Sequence, residues 1–295
     1  MQTQYLISGL TAVLLGAIAA CSSNPTPEAT TPDAPEPSTE TAAQTETVNT
    51  IVALTSLTAD IVHALDEDKL VGIPGSPILR EGDRFAGLEV VSEGRAEPDL
   101  EKIVALEPDL VLGAEGFHDK SLARLEELGV STLAVNVDSW DALQTLTTGL
   151  AEQIGADPQP LLNRYAACLA QAPKSAPSAL VLVSRQPLLS PNKDSWAGDF
   201  LAQFNIQNLT ADLQGESPFD GYVTLPEEKV LTSNPEALLV VDTGENLLEQ
   251  LKDDAFWGEL KATQTDAVYT FDYFGLVNPG SIASIEKTCE QLGQL

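Results

Sequence analysis

The sequence carries one plan twice, and that repetition limits the folds open to it more than any other feature. Residues 98–113, PDLEKIVALEPDLVLG, read as a helix start, an apolar helix face, a turn at Pro108 and an apolar strand. Residues 225–241, LPEEKVLTSNPEALLVV, repeat that order. Glu101-Lys102 align with Glu228-Lys229, Ile103-Val104 with Val230-Leu231, and Pro108-Asp109 with Pro235-Glu236, each pair 127 residues apart. Apolar strand openings near 50 (TIVALTS) and near 178 (ALVLVS) keep almost the same separation. Spacing held over roughly 190 residues is the mark of a duplicated unit. The chain is therefore expected to build two similar α/β lobes.

The pattern around the repeats fits this plan. Helices are predicted over 57–65 and 120–128, strands over 71–74 and 132–137, and an irregular stretch over 75–98. In the second copy a helix is predicted over 194–204. Continuous apolar strands alternating with helices indicate parallel sheets covered on both faces. Between the copies, Trp140, Leu143, Leu146, Leu150 and Ile154 fall at helical spacing. Asp157-Pro158 then restarts a helix through Leu161, Leu162, Tyr165, Cys168 and Leu169, and Pro173 and Pro177 stop it. The expected organisation is an N-terminal lobe at 48–138, a helical bridge at 139–172 and a C-terminal lobe at 173–295. A bridge that crosses once permits less hinge motion than several strands would.

Two short segments precede the lobes. Residues 1–20 hold an apolar stretch that ends in small residues, which reads as a cleaved export signal. Ile18-Ala19-Ala20-Cys21 resembles the lipobox of bacterial lipoproteins. That likeness implies that Cys21 becomes the mature N-terminus and carries lipid, palmitate included. The segment before it has no Lys or Arg, a departure from the pattern, and an ordinary secretory signal with an incidental cysteine is the other reading. Residues 21–47 are rich in Pro, Thr and Glu, with five acids, no base and no aromatic side chain. Such a stretch buries too little to offset its ordering entropy and is expected to act as a disordered tether. The whole chain has 44 acids against 15 bases, a net charge of -29, which argues against nucleic acid as a partner.

Lipobox, acidic tether, TIVALTSLTADIVHAL, PDLEKIVALEPDLVL, helical bridge and a weaker second copy follow one another in order. This succession resembles the substrate-binding proteins of bacterial ABC importers for iron–siderophores, haem and cobalamin, over nearly all of 48–295. PDLEKIVALEPDLVL is the most specific part of the likeness. FDYFGLVNPGSIASIEKTCEQL also looks like the end of iron–siderophore binders. The resemblance implies an α/β fold of two Rossmann-like lobes with parallel-rich sheets, joined by a long bridging helix. It further implies a monomer that is exported and lipid-anchored on the periplasmic or cell-surface side. Such a protein captures a small ligand, here expected to be an iron–siderophore or similar ferric chelate with cobalamin or haem as the alternative, and delivers it to a permease–ATPase complex. Neither catalysis nor a resident cofactor is expected. Glutamates like Glu101 and Glu228 pair in that family with arginines of the two permease subunits. A carboxylate in a helix's first turn is also favoured by the dipole alone.

Ligands of open parallel sheets sit outside the carboxyl ends of the strands. That rule selects Ser56, Thr58, Arg80, Arg84, Arg95, Phe117, His118, Arg185, Trp196, Tyr222 and Tyr273. Four of the six arginines fall in these loops, where a guanidinium fork matches carboxylate and phenolate oxygens. Each is equally able to pair with a neighbouring acid. A bare metal ion is a second ligand class, but with His63 inside a predicted helix only His118 is placed to serve as a nitrogen ligand. No GxSxG, Walker or GxGxxG motif announces an enzyme. Cys168 and Cys289 lie on predicted helices of an exported chain, which favours a disulfide between them over two buried thiols.

Overall fold

Central strands buried on both faces, with alternate side chains entering different cores, explain the layers of the molecule. The computed structural model describes residues 47–93, 96–215, 217, 219–244 and 246–295. Cys21, Arg95 and residues 1–46 lie outside the described residues.

The first half runs β1 (Ile51–Ala53), α1 (Ser56–Leu65), β2 (Leu70–Gly75), β3 (Glu89–Glu93), α2 (Leu100–Ala105), β4 (Leu110–Ala114), α3 (Asp119–Glu127) and β5 (Thr132–Val135). Its five strands are parallel in the order β3-β2-β1-β4-β5. This is the order of a doubly wound sheet, in which the chain leaves the centre twice in opposite directions. Two helices follow, α4 (Trp140–Ile154) and α5 (Gln159–Leu169), separated where Gly155 takes a left-handed φ of 72°. The expected bridge is thus built from two helices, with a glycine where only a residue free of Cβ strain turns easily.

The second half contains β6 (Ser178–Leu182), β7 (Ser184–Arg185), β8 (Leu188–Pro191), α6 (Trp196–Gln203), β9 (Gln207–Asn208) and β10 (Tyr222–Thr224). It continues through α7 (Glu227–Ser233), β11 (Ala237–Asp242), α8 (Leu247–Lys252), α9 (Lys261–Gln264), β12 (Val268–Asp272), α10 (Tyr273–Leu276) and α11 (Ile282–Leu292). Its main sheet is parallel in the order β12-β11-β6-β9, and β10-β8-β7 form a small antiparallel sheet beside it.

Odd and even residues of the central strands part company. Ile51, Ala53, Leu110 and Leu112 face a core that they share with Ala179, Val181, Ala237, Leu239 and the bridge residues Trp140, Leu143 and Tyr165. Val52, Leu54 and Val111 face a second core under α2 and α3. Leu180, Leu182, Leu238 and Val240 face a third under α7 and α8. Each half is a sheet with helices on both faces, and the two inner faces meet the bridge in one continuous core.

The duplicated segment has a local reason. After α2, Glu107 adopts φ 48°; after α7, Asn234 adopts φ 39°, and a proline follows each. The next residue is an acid that caps the neighbouring first strand. Asp109 Oδ2 accepts from the backbone N–H of Asn49 (2.7 Å) and Thr50 (3.0 Å). Glu236 Oε2 accepts from Ser178 N–H (3.2 Å). The Pro-Asp/Glu step therefore turns the chain from helix into strand and satisfies strand ends that would otherwise lack partners.

Two features depart from expectation. The stretch 75–98 holds edge strand β3, whose EVVSE sequence is polar enough to pass for a loop. The β7–β8–β10 sheet was not expected, since strands of two to four residues are too short to display a period.

Candidate functional site

The carboxyl ends of the parallel strands deliver most of the selected residues. The N-terminus of α1 follows β1, loop 76–88 follows β2, 115–118 follow β4, and Tyr273 follows β12 directly.

Tyr222 opens β10 and Tyr273 opens α10. Burial pushes the Tyr222 hydroxyl's pKa above the ordinary tyrosine range, and nearby Tyr273 pushes it further. Among the described residues neither phenolic oxygen has a hydrogen-bond partner. Phe274 stands edge-on to Tyr273, its ring centroid 5.3 Å away.

Three selected residues are committed elsewhere. Thr58 is fully buried, and its hydroxyl donates to Thr55 O (3.1 Å) beside the Thr55 hydroxyl (2.8 Å), so it finishes the cap of α1 instead of facing ligand. Ser56, half-buried, is the first residue of the same helix. Trp196 is 3% exposed, stacked on Trp140 (centroids 5.8 Å apart, 19° between planes), and its Nε1 donates to Gly275 O (2.7 Å). It is a core residue. His118 is 6% exposed, and its Nδ1 accepts from Ala114 N–H (2.9 Å), which leaves the proton on Nε2. Burial lowers its pKa, so the neutral ring acts as a brace for the end of β4. Phe117, 66% exposed, sits edge-on to His118.

The three described arginines of the set each hold a carboxylate already. Arg80 pairs with Glu93 (2.7 Å) and Arg84 with Asp60 (2.5 Å). Arg185 binds Asp254 through Nε (3.0 Å to both oxygens) and Nη2 (2.5 Å). The ion-pair alternative describes them in this state. Asp60 and Asp254 were not selected from sequence. An acid on the apolar face of TADIVHAL was the signal for Asp60, because a buried carboxylate needs a partner.

Glu101 and Glu228 occupy the first turns of α2 and α7, both exposed, and among the described residues neither forms an ion pair. Lys102 beside Glu101 is drawn away to Glu89 (2.8 Å). A groove of about 550 Å³ between α2 and α3 is lined by Leu100, Glu101, Val104 and Leu128. A recess of about 310 Å³ beside α7 is lined by Leu180, Leu225, Lys229 and Ser233. The groove adjoins the helix of Glu101 and the recess the helix of Glu228. Among the described residues no three His, Cys, Asp or Glu side chains gather as a metal cage, and no helix is long and apolar enough to cross a membrane.

Two doubly wound sheets, with candidate residues at strand carboxyl ends and a helical bridge between them, define an α/β fold of the periplasmic-binding-protein kind. Residues 51–273 match the periplasmic binding protein family, and the chain belongs to it. Its members are extracytoplasmic, bind small ligands and serve as the substrate-binding components of ABC importers. The vitamin B12-binding protein of Salmonella paratyphi A is 27% identical over 205 residues, covering 67% of this chain and 74% of that protein. The Fe(3+) dicitrate-binding periplasmic protein FecB of Escherichia coli is 26% identical over 187 residues, 60% of each chain. An ABC transporter substrate-binding protein from Listeria monocytogenes superposes with a TM-score of 0.69 at 22% identity, covering 83% of this chain and 97% of that one. This last likeness is one of fold.

Proposed function

We propose that the protein captures an iron–siderophore or similar ferric chelate at the carboxyl edges of its two sheets. The lobes would be 48–138 and 173–295, joined by the bridge at 139–172. Glu101 and Glu228 would present one charge from each lobe to the two subunits of a permease. Cys21 would hold the protein to the membrane through lipid, with 21–47 as tether. The observation that carries the ligand reading is the Tyr222–Tyr273 pair. Phenols without partners among the described residues can donate to carboxylate, phenolate or hydroxamate oxygens of a chelate, and the adjacent aromatic rings suit an organic body. The ferric dicitrate-binding relative supports the same class.

Cobalamin is the second reading, favoured by the vitamin B12-binding relative, which matches over a longer stretch. Haem falls in the same family of ligands. A thermal-shift panel of ferric citrate, ferric hydroxamate and catecholate siderophores, cyanocobalamin and haemin separates them. Bound ligand at a hundredfold excess over Kd adds about 2.7 kcal/mol, a shift of several degrees. A shift with a ferric chelate, diminished in Tyr222→Phe and Tyr273→Phe, supports the first reading. A shift with cyanocobalamin or haemin alone transfers the assignment to that ligand. Silence across the panel overturns the proposal.

A further inference from the structure

The buried carboxylate of Asp60 joins the two halves at a point next to the candidate site. Asp60 lies on α1 in the first half and is 1% exposed. Its Oδ1 accepts from Arg84 Nη2 at 2.5 Å. Its Oδ2 accepts from the backbone N–H of Ile282 at 2.8 Å, across a sequence separation of 222 residues. Ile282 is the first residue of α11, so the carboxylate also meets the positive end of that helix.

Both partners belong to segments that border the ligand edge. Arg84 lies in the loop after β2, and this loop is pinned to α1 again by His63 Nε2 on Arg84 O (2.9 Å) and by Phe85 edge-on to the His63 ring (4.8 Å). Ile282 directly follows segment 273–281, which holds the short, kinked α10. Trp196 holds Gly275 O in that segment, and Gly275, at φ 110°, is so close to α11 that a Cβ would collide with Thr288 Oγ1 and Ser284 O. Ile78 of the first half closes on Gly280, 2.9 Å from where a Cβ would stand.

We infer that Asp60 is a positioning residue for ligand capture. One oxygen fixes the 76–88 loop of the first half, the other fixes the 273–281 segment of the second, and together they set the spacing between the walls that flank Tyr273. This rests on the proposed capture edge and adds to it the device that holds the edge open at one width. A preorganised edge binds more tightly because less ordering remains to be done on binding.

Hydrogen–deuterium exchange on the ligand-free full chain tests the clamp without needing the ligand. Asp60→Ala should speed exchange in peptides covering 76–88 and 275–285 by about tenfold or more, while β11 peptides stay protected. Asp60→Asn keeps one carbonyl oxygen for Ile282 and turns an amide toward Arg84. It should loosen 76–88 and leave 275–285 protected. Arg84→Gln should reproduce that one-sided effect, and it serves with Asp60→Asn if the alanine variant does not fold. Affinity for ferric citrate or cyanocobalamin, whichever the unaltered protein binds, should fall about tenfold in Asp60→Ala. Uniform acceleration across all peptides, unchanged exchange in both segments, or undiminished affinity beside loosened segments overturns the inference. Failure of the unaltered protein to bind either probe would instead strike the ligand reading, and the exchange pattern would still decide the clamp.

Discussion

Tyr165 shows how one buried atom ties stability to pH. Its ring is 1% exposed between α4 and α5, and its hydroxyl lies 3.1 Å from Thr147 Oγ1. Burial pushes its pKa up to about 12. The unfolded value is about 10. The folded state therefore prefers the neutral phenol. This contribution is intact below pH 10 and is lost as pH climbs from 10 through 12. A shift of that size corresponds to about 3 kcal/mol. Urea melts between pH 9 and 12 should show stability falling with pH, and Tyr165→Phe should flatten part of that slope. It should cost only about 1 kcal/mol at pH 7, from the lost hydrogen bond. Tyr222 is raised in the same direction and accounts for part of the remaining slope. An unchanged slope in Tyr165→Phe would refute the assignment. Residue type alone did not separate Tyr222 from Trp196 as site candidates. Trp196 is removed by Gly275 O, 79 residues away in sequence, and no local pattern encodes that meeting.

At the scale of elements, the Pro-Asp/Glu step makes a paired prediction. Asp109 caps two backbone N–H groups at 2.7 and 3.0 Å, whereas Glu236 caps Ser178 N–H at 3.2 Å. Asp109→Ala should therefore destabilise by about 1–2 kcal/mol and Glu236→Ala by less. Hydrogen bonds from Asn49 hold the Asp109 carboxyl below its usual pKa, and Lys261 does the same for Glu236. With folded pKa values depressed, these contributions are present above the unfolded pKa near 4 and vanish as pH falls through the folded values. Melts at pH 7 and at pH 2.5 check both points, since the gap between variant and unaltered protein should shrink in acid. The same elements show what the sequence makes legible. β1, β4, β6 and β11 are announced by continuous apolar runs, because a central parallel strand is buried on both faces. β3 lies at an edge and carries charge, so its sequence looks like a loop. The repeat revealed the sheets and the exposed acids. It was silent about Asp60 and Asp254, whose significance lies in partners brought near only by folding.

For the whole molecule, the last helix governs how the halves are held. Cys289 of α11 is disulfide-bonded to Cys168 of α5, with Cα atoms 5.5 Å apart at a sequence separation of 121. Glu286 of α11 receives Arg164 of α5 in a two-pronged contact at 2.8 and 2.9 Å. Removing the disulfide by Cys168→Ser with Cys289→Ser should cost about 3–5 kcal/mol, as expected for so long a loop. Thiol titration of the denatured, unreduced protein should find neither cysteine reactive. Glu101 and Glu228 are exposed in the first turns of α2 and α7, one in each half. Exposed charges act mainly on encounter and register with a partner, and less on depth of affinity. A double Glu101→Ala/Glu228→Ala variant should therefore bind ligand as the unaltered protein does. It should raise, on the order of tenfold, the concentration needed to stimulate ATP hydrolysis by its cognate permease–ATPase in proteoliposomes. Each single variant should fall between, and added salt should narrow every difference, because exposed charges are screened. Stimulation by the double variant at unaltered concentration would remove the two acids from the docking surface.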